Sequence, residues 1–264
     1  MTPVEPRQAA TVLLLRDGAP GLEVYLLRRT KGMRFAGGMT AYPGGGVDPR
    51  DGDTEIGWAG PSPAQWAAAF GCDERVAREL VCAVVRETFE EAGVLLAGSD
   101  DGSVVPDVSG DDWEEQRTAL LTRELSLAEL LAGRGLVLRS DLLRPFAHWI
   151  TPPVEPRRYD TKFFAAALPV GQEARHVSSE ADVAEWRTPS AALAEVSSGV
   201  RPMMPPTIHT LTQLDRFSDV AGALAGSPPD PMEPISPTFE ETPDGKWAVL
   251  PDGTRIRMVV PLPS

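Results

Sequence analysis

The run Arg86-Glu87-Thr88-Phe89-Glu90-Glu91-Ala92-Gly93-Val94 constrains this chain more than any other stretch. Its residue types suit a helix closed by glycine, and on a helix positions three and four apart share a face. Glu87 therefore stacks over both Glu90 and Glu91. Three carboxylates on one turn repel one another, and a cation between them turns that repulsion into affinity. An oxygen-only donor set suits a hard divalent ion, Mg²⁺ or Mn²⁺, which keeps several waters and binds phosphate oxygens. The same residues also suit a solvated acidic helix face, the usual role of Glu-rich helical segments. The run by itself leaves both readings open.

Upstream lies a glycine turn, Tyr42-Pro43-Gly44-Gly45-Gly46-Val47-Asp48. The two segments together resemble the Nudix box, G-x5-E-x7-R-E-U-x-E-E-x-G-U with U aliphatic. Counting from Gly45, five residues lead to Asp51, where the family has Glu. The second half of the box falls on Arg86 to Val94, with Thr88 at the first aliphatic position. Residues 52–85 stand where the family has seven, so the box carries an insertion. A further pattern, L-L-T-x-R-[SA]-x3-R-x3-G-x3-F-P-G-G, marks Nudix enzymes that cleave coenzyme A. It runs without a gap from Tyr25 to Gly45, matching at Leu26, Arg29, Arg34, Gly38, Pro43, Gly44 and Gly45. Tyr25, Leu27, Thr30 and Tyr42 replace the family residues at their positions. The insertion and the segment Trp149 to Phe164 also resemble the acyl-coenzyme A diphosphatase branch known from animal organelles.

The resemblance implies an α/β (α+β) fold, a Nudix-type α/β/α sandwich with a mixed sheet. Residues 8–195 would form the Nudix domain, with the insertion at about 52–78. Residues 196–264 would form a C-terminal helical extension and a terminal hairpin. It also implies that Glu87 and Glu91 are the principal metal ligands, with Glu90 a further ligand or catalytic group and the Gly45 carbonyl completing the shell. Arg86 would hold the carboxylates in place, since a guanidinium binds them bidentately. Arg29 and Arg34, with Gly44, would meet the substrate. The general base would be a box glutamate or a carboxylate from a distant loop, here Glu180, Asp182 or Glu185, with Glu180 named first. The expected reaction is hydrolysis of coenzyme A or acyl-coenzyme A to a 4′-phosphopantetheine product and adenosine 3′,5′-bisphosphate. The alternatives are a pyrophosphatase of ADP-ribose, dinucleotides or damaged nucleotides, and a non-catalytic nucleotide sensor.

Bulk properties narrow the partners. A net charge of −13 and a pI near 4.7 argue against nucleic acid, which needs a basic footprint. A small nucleotide-derived substrate fits, its phosphates met by the metal and a few arginines. A homodimer is compatible with the chain. The apolar stretch Thr11–Leu15 is far too short for a secretory leader, and no run reaches membrane-spanning length. No membrane association is expected, and a reducing cytoplasm is the expected setting. Cys72 and Cys82 form no disulfide framework or metal-spaced cluster.

Hydrophobic periodicity predicts a hairpin of Ala10–Leu15 and Leu22–Arg28 turning at Asp17-Gly18, and a short strand at Met39–Ala41. The box helix is expected over Glu79–Ala92, with Val81, Val84, Val85, Thr88 and Ala92 facing the core and the carboxylates away from it. Helices are predicted over 111–121 and 126–133, the second with a Ser126/Glu129 capping box. Strands follow at 146–150, 161–168 and 180–186. An Ala-rich helix then runs to about Ser197, and a long one spans Thr207–Ala223. The terminal hairpin turns at Asp252-Gly253. His148, His176 and His209 show no ligand spacing and are read as structural or exposed. Trp149, Phe163 and Phe164 are read as core.

Overall fold

The computed structural model describes residues 4–32, 36–99, 102–177, 181–226 and 231–258. In chain order, β1 (Arg7–Gly18) and β2 (Gly21–Arg29) precede the short β3 (Thr40–Ala41) and the glycine strand β4 (Gly44–Gly46). A 3-10 turn over Pro49–Gly52 leads to β5 (Trp58–Ala59), α1 (Pro63–Phe70) and α2 (Glu74–Ala92). Next come β6 (Ala97–Gly98), α3 (Asp111–Leu121), α4 (Leu127–Arg134) and β7 (Val137–Arg139). β8 (Leu143–Ile150), β9 (Tyr159–Ala167) and β10 (Ala181–Arg187) complete the main sheet. Three helices follow: α5 (Pro189–Ser197), α6 (Pro205–Leu214) and α7 (Val220–Ala225). The chain closes with β11 (Thr238–Thr242), β12 (Gly245–Val249) and β13 (Arg255–Arg257).

The run Val12 to Leu15 is apolar at every position because β1 is buried on both faces. Val12 and Leu14 point into one core with α1 and α2, while Leu13 and Leu15 point into a second with α5, α6 and the terminal strands. The main sheet is mixed, in the order β10-β2-β1-β9-β8, with β1 parallel to β9 and antiparallel to β2. Helices thus cover both faces, the layered sandwich that the resemblance implied. The far half of β1 pairs with β2, and its near half pairs with β4 instead, Ala9–Thr11 against Gly46–Gly44. That exchange of partners brings the glycine strand, itself part of the sheet, against α2. Among the described residues no helix is long and apolar enough to cross a membrane.

Several elements differ from the sequence expectation. The first hairpin turns at Ala19-Pro20, closed by the Gly18–Gly21 pair, rather than at Asp17-Gly18. The insertion holds a helix that Pro63 and Gly71 delimit. Pro63 follows the N-cap Ser62, whose capping box with Gln65 opens α1, and Gly71 closes it in the left-handed region at φ 62°. α1 packs on α2 and stacks Trp66 and Phe70 against Phe164. α2 begins at Glu74 rather than Glu79, because its polar first turn continues directly from the N-cap Asp73. The helix expected over 207–223 is two helices, since Asp219 caps α7 by accepting from the Gly222 amide. The terminal hairpin gains a third strand, β11, whose largely exposed residues carry no apolar alternation.

Candidate functional site

α2 and β4 cross so that each glycine meets one acidic or basic side chain. The Gly44 amide donates to Glu91 Oε2 at 2.8 Å. A Cβ at Gly45 would lie 2.4 Å from Glu87 Oε1, and one at Gly44 would lie 2.5 Å from the Ala10 carbonyl at φ +157°. Only glycine permits this approach of backbone to both the carboxylates and β1. The Gly46 carbonyl accepts from Arg86 Nη2 at 3.0 Å.

Arg86 is the node of the site. Its Nε and Nη2 donate to the two oxygens of Asp51, both at 3.0 Å. Its Nη1 donates to Glu87 Oε1 at 2.9 Å and Glu90 Oε2 at 3.1 Å. Asp51, the shorter acid at the family's Glu position, thus reaches the guanidinium with both oxygens. It is placed by its own turn, in which Asp48 caps the Pro49–Gly52 segment and Asp51 accepts the Asp48 amide. The sequence reading made Arg86 a holder of carboxylates, and these are the contacts it makes.

The carboxylates do not lie on a solvated face. Glu90 and Glu91 are each 6% exposed, and Asp51 is 2% exposed. The glutamates are off the α2 face of Val81, Val84, Val85 and Ala92 that packs the core, and α3 borders the helix beside them, with Arg117 Nη1 donating to the Glu90 carbonyl and Trp113 edge-on to Phe89. Burial pushes the Glu87 carboxyl up to about 7, opposed by Arg86 and reinforced by Glu90 and Asp51. Burial likewise raises Glu90 and Asp51. For Arg86, burial works downward, but Asp51, Glu87 and Glu90 outweigh it and hold the guanidinium above its usual value.

Arg86 and the three glutamates floor a cavity of about 560 Å³. Glu87, Glu90 and Glu91 line it with Gly44, Gly45, Gly46 and Arg29. An oxygen-only set with a glycine backbone beside it fits a hard divalent cation. Among the described residues, no three or more His, Cys, Asp or Glu side chains form a preformed metal cage. Arg86 draws Glu87 and Glu90 to itself, and the Gly44 amide draws Glu91. Arg34 and Glu180 lie outside the described residues. Of the other base candidates, Asp182 pairs with Arg28 at 2.8 Å and Glu185 with Arg201 and Arg187. Neither lines the cavity.

Several lining residues escaped the sequence reading: Arg7, Asp48, Arg50, Arg123 and Tyr159. Asp48-Pro49-Arg50-Asp51 did carry a signal, a cap residue followed by proline and an acid three positions on. Arg50 binds Asp48 through Nε at 3.0 Å and Nη2 at 3.2 Å, and chiefly that hydrogen bonding holds Asp48 down at about 2. Arg7 and Arg123 come from distant segments and carry no local mark, and Tyr159 lies in the Trp149 to Phe164 segment without standing out from it. His148 is buried with Asp160 and Lys162, His176 bonds the Ala181 carbonyl, and His209 packs edge-on to Trp149.

Comparison with known proteins shows the family. The NUDT19 Nudix domain family matches residues 67–214. A Xenopus laevis protein named acyl-coenzyme A diphosphatase NUDT19 is 27% identical over 152 residues, 53% of this chain and 40% of its own length. Its Gallus gallus counterpart is 27% identical over 267 residues, covering 81% of this chain and 69% of its own. This chain therefore spans well under half of the frog protein. The crystal structure of a Nudix hydrolase from Alicyclobacillus acidocaldarius superposes with a TM-score of 0.73 at 30% identity, covering 85% of this chain and 97% of that one. With the box glycines, the Arg86 node and the acidic floor in one cavity, the chain belongs to the Nudix hydrolase family, within the group defined by the NUDT19 Nudix domain.

Proposed function

We propose that the chain hydrolyses the diphosphate of coenzyme A or its acyl thioesters, releasing (acyl-)4′-phosphopantetheine and adenosine 3′,5′-bisphosphate. The observation that carries this reading is the acidic excess of the cavity floor. One buried guanidinium, Arg86, faces Asp51, Glu87 and Glu90, with Glu91 beside them on the Gly44 amide. Glu87, Glu90 and Glu91 with the Gly45 carbonyl would hold Mg²⁺ or Mn²⁺. When bound, such an ion neutralises diphosphate charge and lowers the pKa of a neighbouring water. The chain's own part is positioning, which with electrostatics carries most of phosphoryl-transfer catalysis. Arg86 keeps Glu87 and Glu90 side by side, and the Gly44 amide fixes the direction of Glu91. Glu180 is the proposed base for the attacking water, with Glu90 as the competing acceptor. Comparing the pH–rate profiles of Glu180→Gln and Glu90→Gln separates them.

Three things support the substrate: the gap-free pattern from Tyr25 to Gly45, the names of the frog and chicken relatives, and Arg29 on the cavity wall. Arg29 and Arg34 are assigned to the 3′-phosphate, a charge best met by an arginine fork. The test is turnover of coenzyme A, dephospho-coenzyme A, ADP-ribose and NADH with Mg²⁺ or Mn²⁺, products identified by mass. Arg34→Ala and Arg29→Ala should lose about ten- to a hundred-fold in kcat/KM on coenzyme A and little on the dephospho form. Equal loss on both substrates moves the arginines to the diphosphate. Loss on neither, with ADP-ribose the better substrate, replaces the coenzyme A reading by a general pyrophosphatase.

A further inference from the structure

The cavity has a lip that the carboxylate chemistry does not use. It is the end of α3 and the turn after it, where Leu120, Leu121 and Arg123 line the wall. Arg123 sits at φ +63°, in the left-handed region. The position ends the helix, with the Arg123 amide donating to the Leu120 carbonyl and the Glu124 amide to that of Ala119. Glycine is the ordinary occupant of such a position. An arginine there retains strain that glycine would relieve, and strained residues gather at ligand sites.

What the surroundings fix is the backbone of Arg123. Arg50 Nη1 donates to its carbonyl at 3.1 Å. The Arg123 guanidinium stands 3.7 Å from Asp48, an ion pair beyond hydrogen-bond length, and its side chain is 78% exposed. Beside it Leu121 is 38% exposed, an apolar surface next to a donor-rich head.

β4 gives the cavity floor a direction. Gly44 meets Glu91, Gly45 meets Glu87, Gly46 meets Arg86, and Asp48, two residues on, meets Arg123. Arg29 approaches from the opposite end, since β2 pairs Leu27 with Ala41, which leads into Gly44. Arg29 thus stands toward one end and Arg123, with Arg50 beside it, at the other, and the acidic floor lies between.

Building on the coenzyme A reading, we propose that the Leu121–Arg123 lip receives the pantetheine arm, leaving the nucleotide arm to the Arg29 end. Pantetheine is a neutral chain with a branched apolar segment and two amides. Leu121 covers its methyl groups, and the Arg123 guanidinium donates to an amide carbonyl. The two leucines give this end an apolar wall, and Asp48 offsets part of the positive charge of Arg50 and Arg123.

The experiment is titration calorimetry of the whole chain with Mg²⁺, using each product as probe: 4′-phosphopantetheine and adenosine 3′,5′-bisphosphate. Arg123→Gly should bind 4′-phosphopantetheine about tenfold more weakly and the nucleotide within about twofold of wild type. Its melting temperature should hold or rise, because glycine accepts the left-handed backbone. Arg123→Asn, which tolerates that backbone but lacks the reach, should bind in the same way. Selective weakening of the nucleotide inverts the two arms and overturns the proposal. Equal weakening of both, or of neither, overturns it too. Wild-type protein that turns over coenzyme A beside an unaffected Arg123→Gly breaks only this inference. Wild-type protein that neither cleaves coenzyme A nor binds either product breaks the parent reading.

Discussion

Two buried charge clusters in this molecule are built from similar parts and come out opposite in balance. Around Arg86, one cation serves Asp51, Glu87 and Glu90, with a fourth carboxylate, Glu91, adjacent. Between β8 and β9, Lys162 Nζ donates to Asp160 at 2.8 Å and contacts His148 Nε2 at 2.7 Å, while His148 Nε2 meets the same Asp160 oxygen at 2.7 Å. The second cluster balances its own charge and holds two strands in register. The first has more negative charge than its arginine neutralises, and it opens on a cavity. A buried charge is tolerated when paired, so surplus acid at a cavity floor points to a cation supplied from outside.

Removing each cluster's cation is the strongest way to break the comparison. Arg86→Met and Lys162→Met each strand a buried carboxylate and should each cost about 3–5 kcal/mol in urea unfolding. The difference lies in rescue. Millimolar Mg²⁺ should recover much of the loss in Arg86→Met and none in Lys162→Met. Equal rescue, or none in either, means that the two clusters are alike and the acidic surplus is structural.

Glu87→Gln and Glu91→Gln keep side-chain volume and remove the charge of the proposed ligands. Each should lower kcat about a thousand-fold at saturating metal, close to 4 kcal/mol, while leaving a cooperative thermal transition. Without metal, Glu87→Gln should melt no lower than wild type, because a buried like charge is gone. Turnover near that of wild type in both variants would move the site elsewhere.

How much of this was legible in the sequence depends on distance along the chain. The Arg86–Val94 run and Gly44–Gly46 are local patterns, and a helix period plus a glycine turn sufficed to read them. The 34 residues between box halves, 52–85, did not prevent pairing across them, because Asp51 and Arg86 meet through tertiary structure. Burial of Glu90 and Glu91 was not legible: α3 reaches Glu90 through Arg117 and β4 meets Glu91 through the Gly44 amide, and no periodicity within α2 announces either neighbour. The same limit hid Arg7, Arg123 and Tyr159, each brought to the cavity from a separate element. β11 was missed because strand prediction relies on an apolar face, and its residues are almost all exposed.

The clusters should also answer pH with opposite signs. Glu87 has its folded pKa raised to about 7 from an ordinary 4.5, so its contribution is intact below about 4.5 and lost as pH rises through 7. Chelator-treated protein should therefore lose on the order of 2–3 kcal/mol across that window, and Glu87→Gln should flatten the slope. Asp160 is the reverse. Burial works against its carboxylate, but hydrogen bonds from His148 and Lys162 outweigh it and hold it well below the usual range. Its stabilisation is present above the unfolded value of about 3.9 and fades as pH falls below that. Asp160→Asn should remove the acid-side loss without touching the neutral one. A metal-free stability curve flat from pH 4.5 to 7 would contradict the assigned surplus.

The mildest change tests whether Asp51 belongs to the surplus or only to its restraint. Glutamate is the usual family residue at this position, and Asp51→Glu adds one methylene to a carboxylate that already meets Arg86 with both oxygens at 3.0 Å. Asp51 also accepts the Asp48 amide at 2.8 Å, a capping bond that depends on the short side chain. The longer acid should loosen that cap and push on a buried guanidinium, costing about 1 kcal/mol of stability. If Asp51 serves only to restrain Arg86, metal affinity should change by less than about threefold, because Glu87, Glu90 and Glu91 are untouched. A tenfold or larger gain in Mg²⁺ affinity would instead place position 51 among the ligands. Charge count cannot separate the two roles, since both residues carry one negative charge, but reach can.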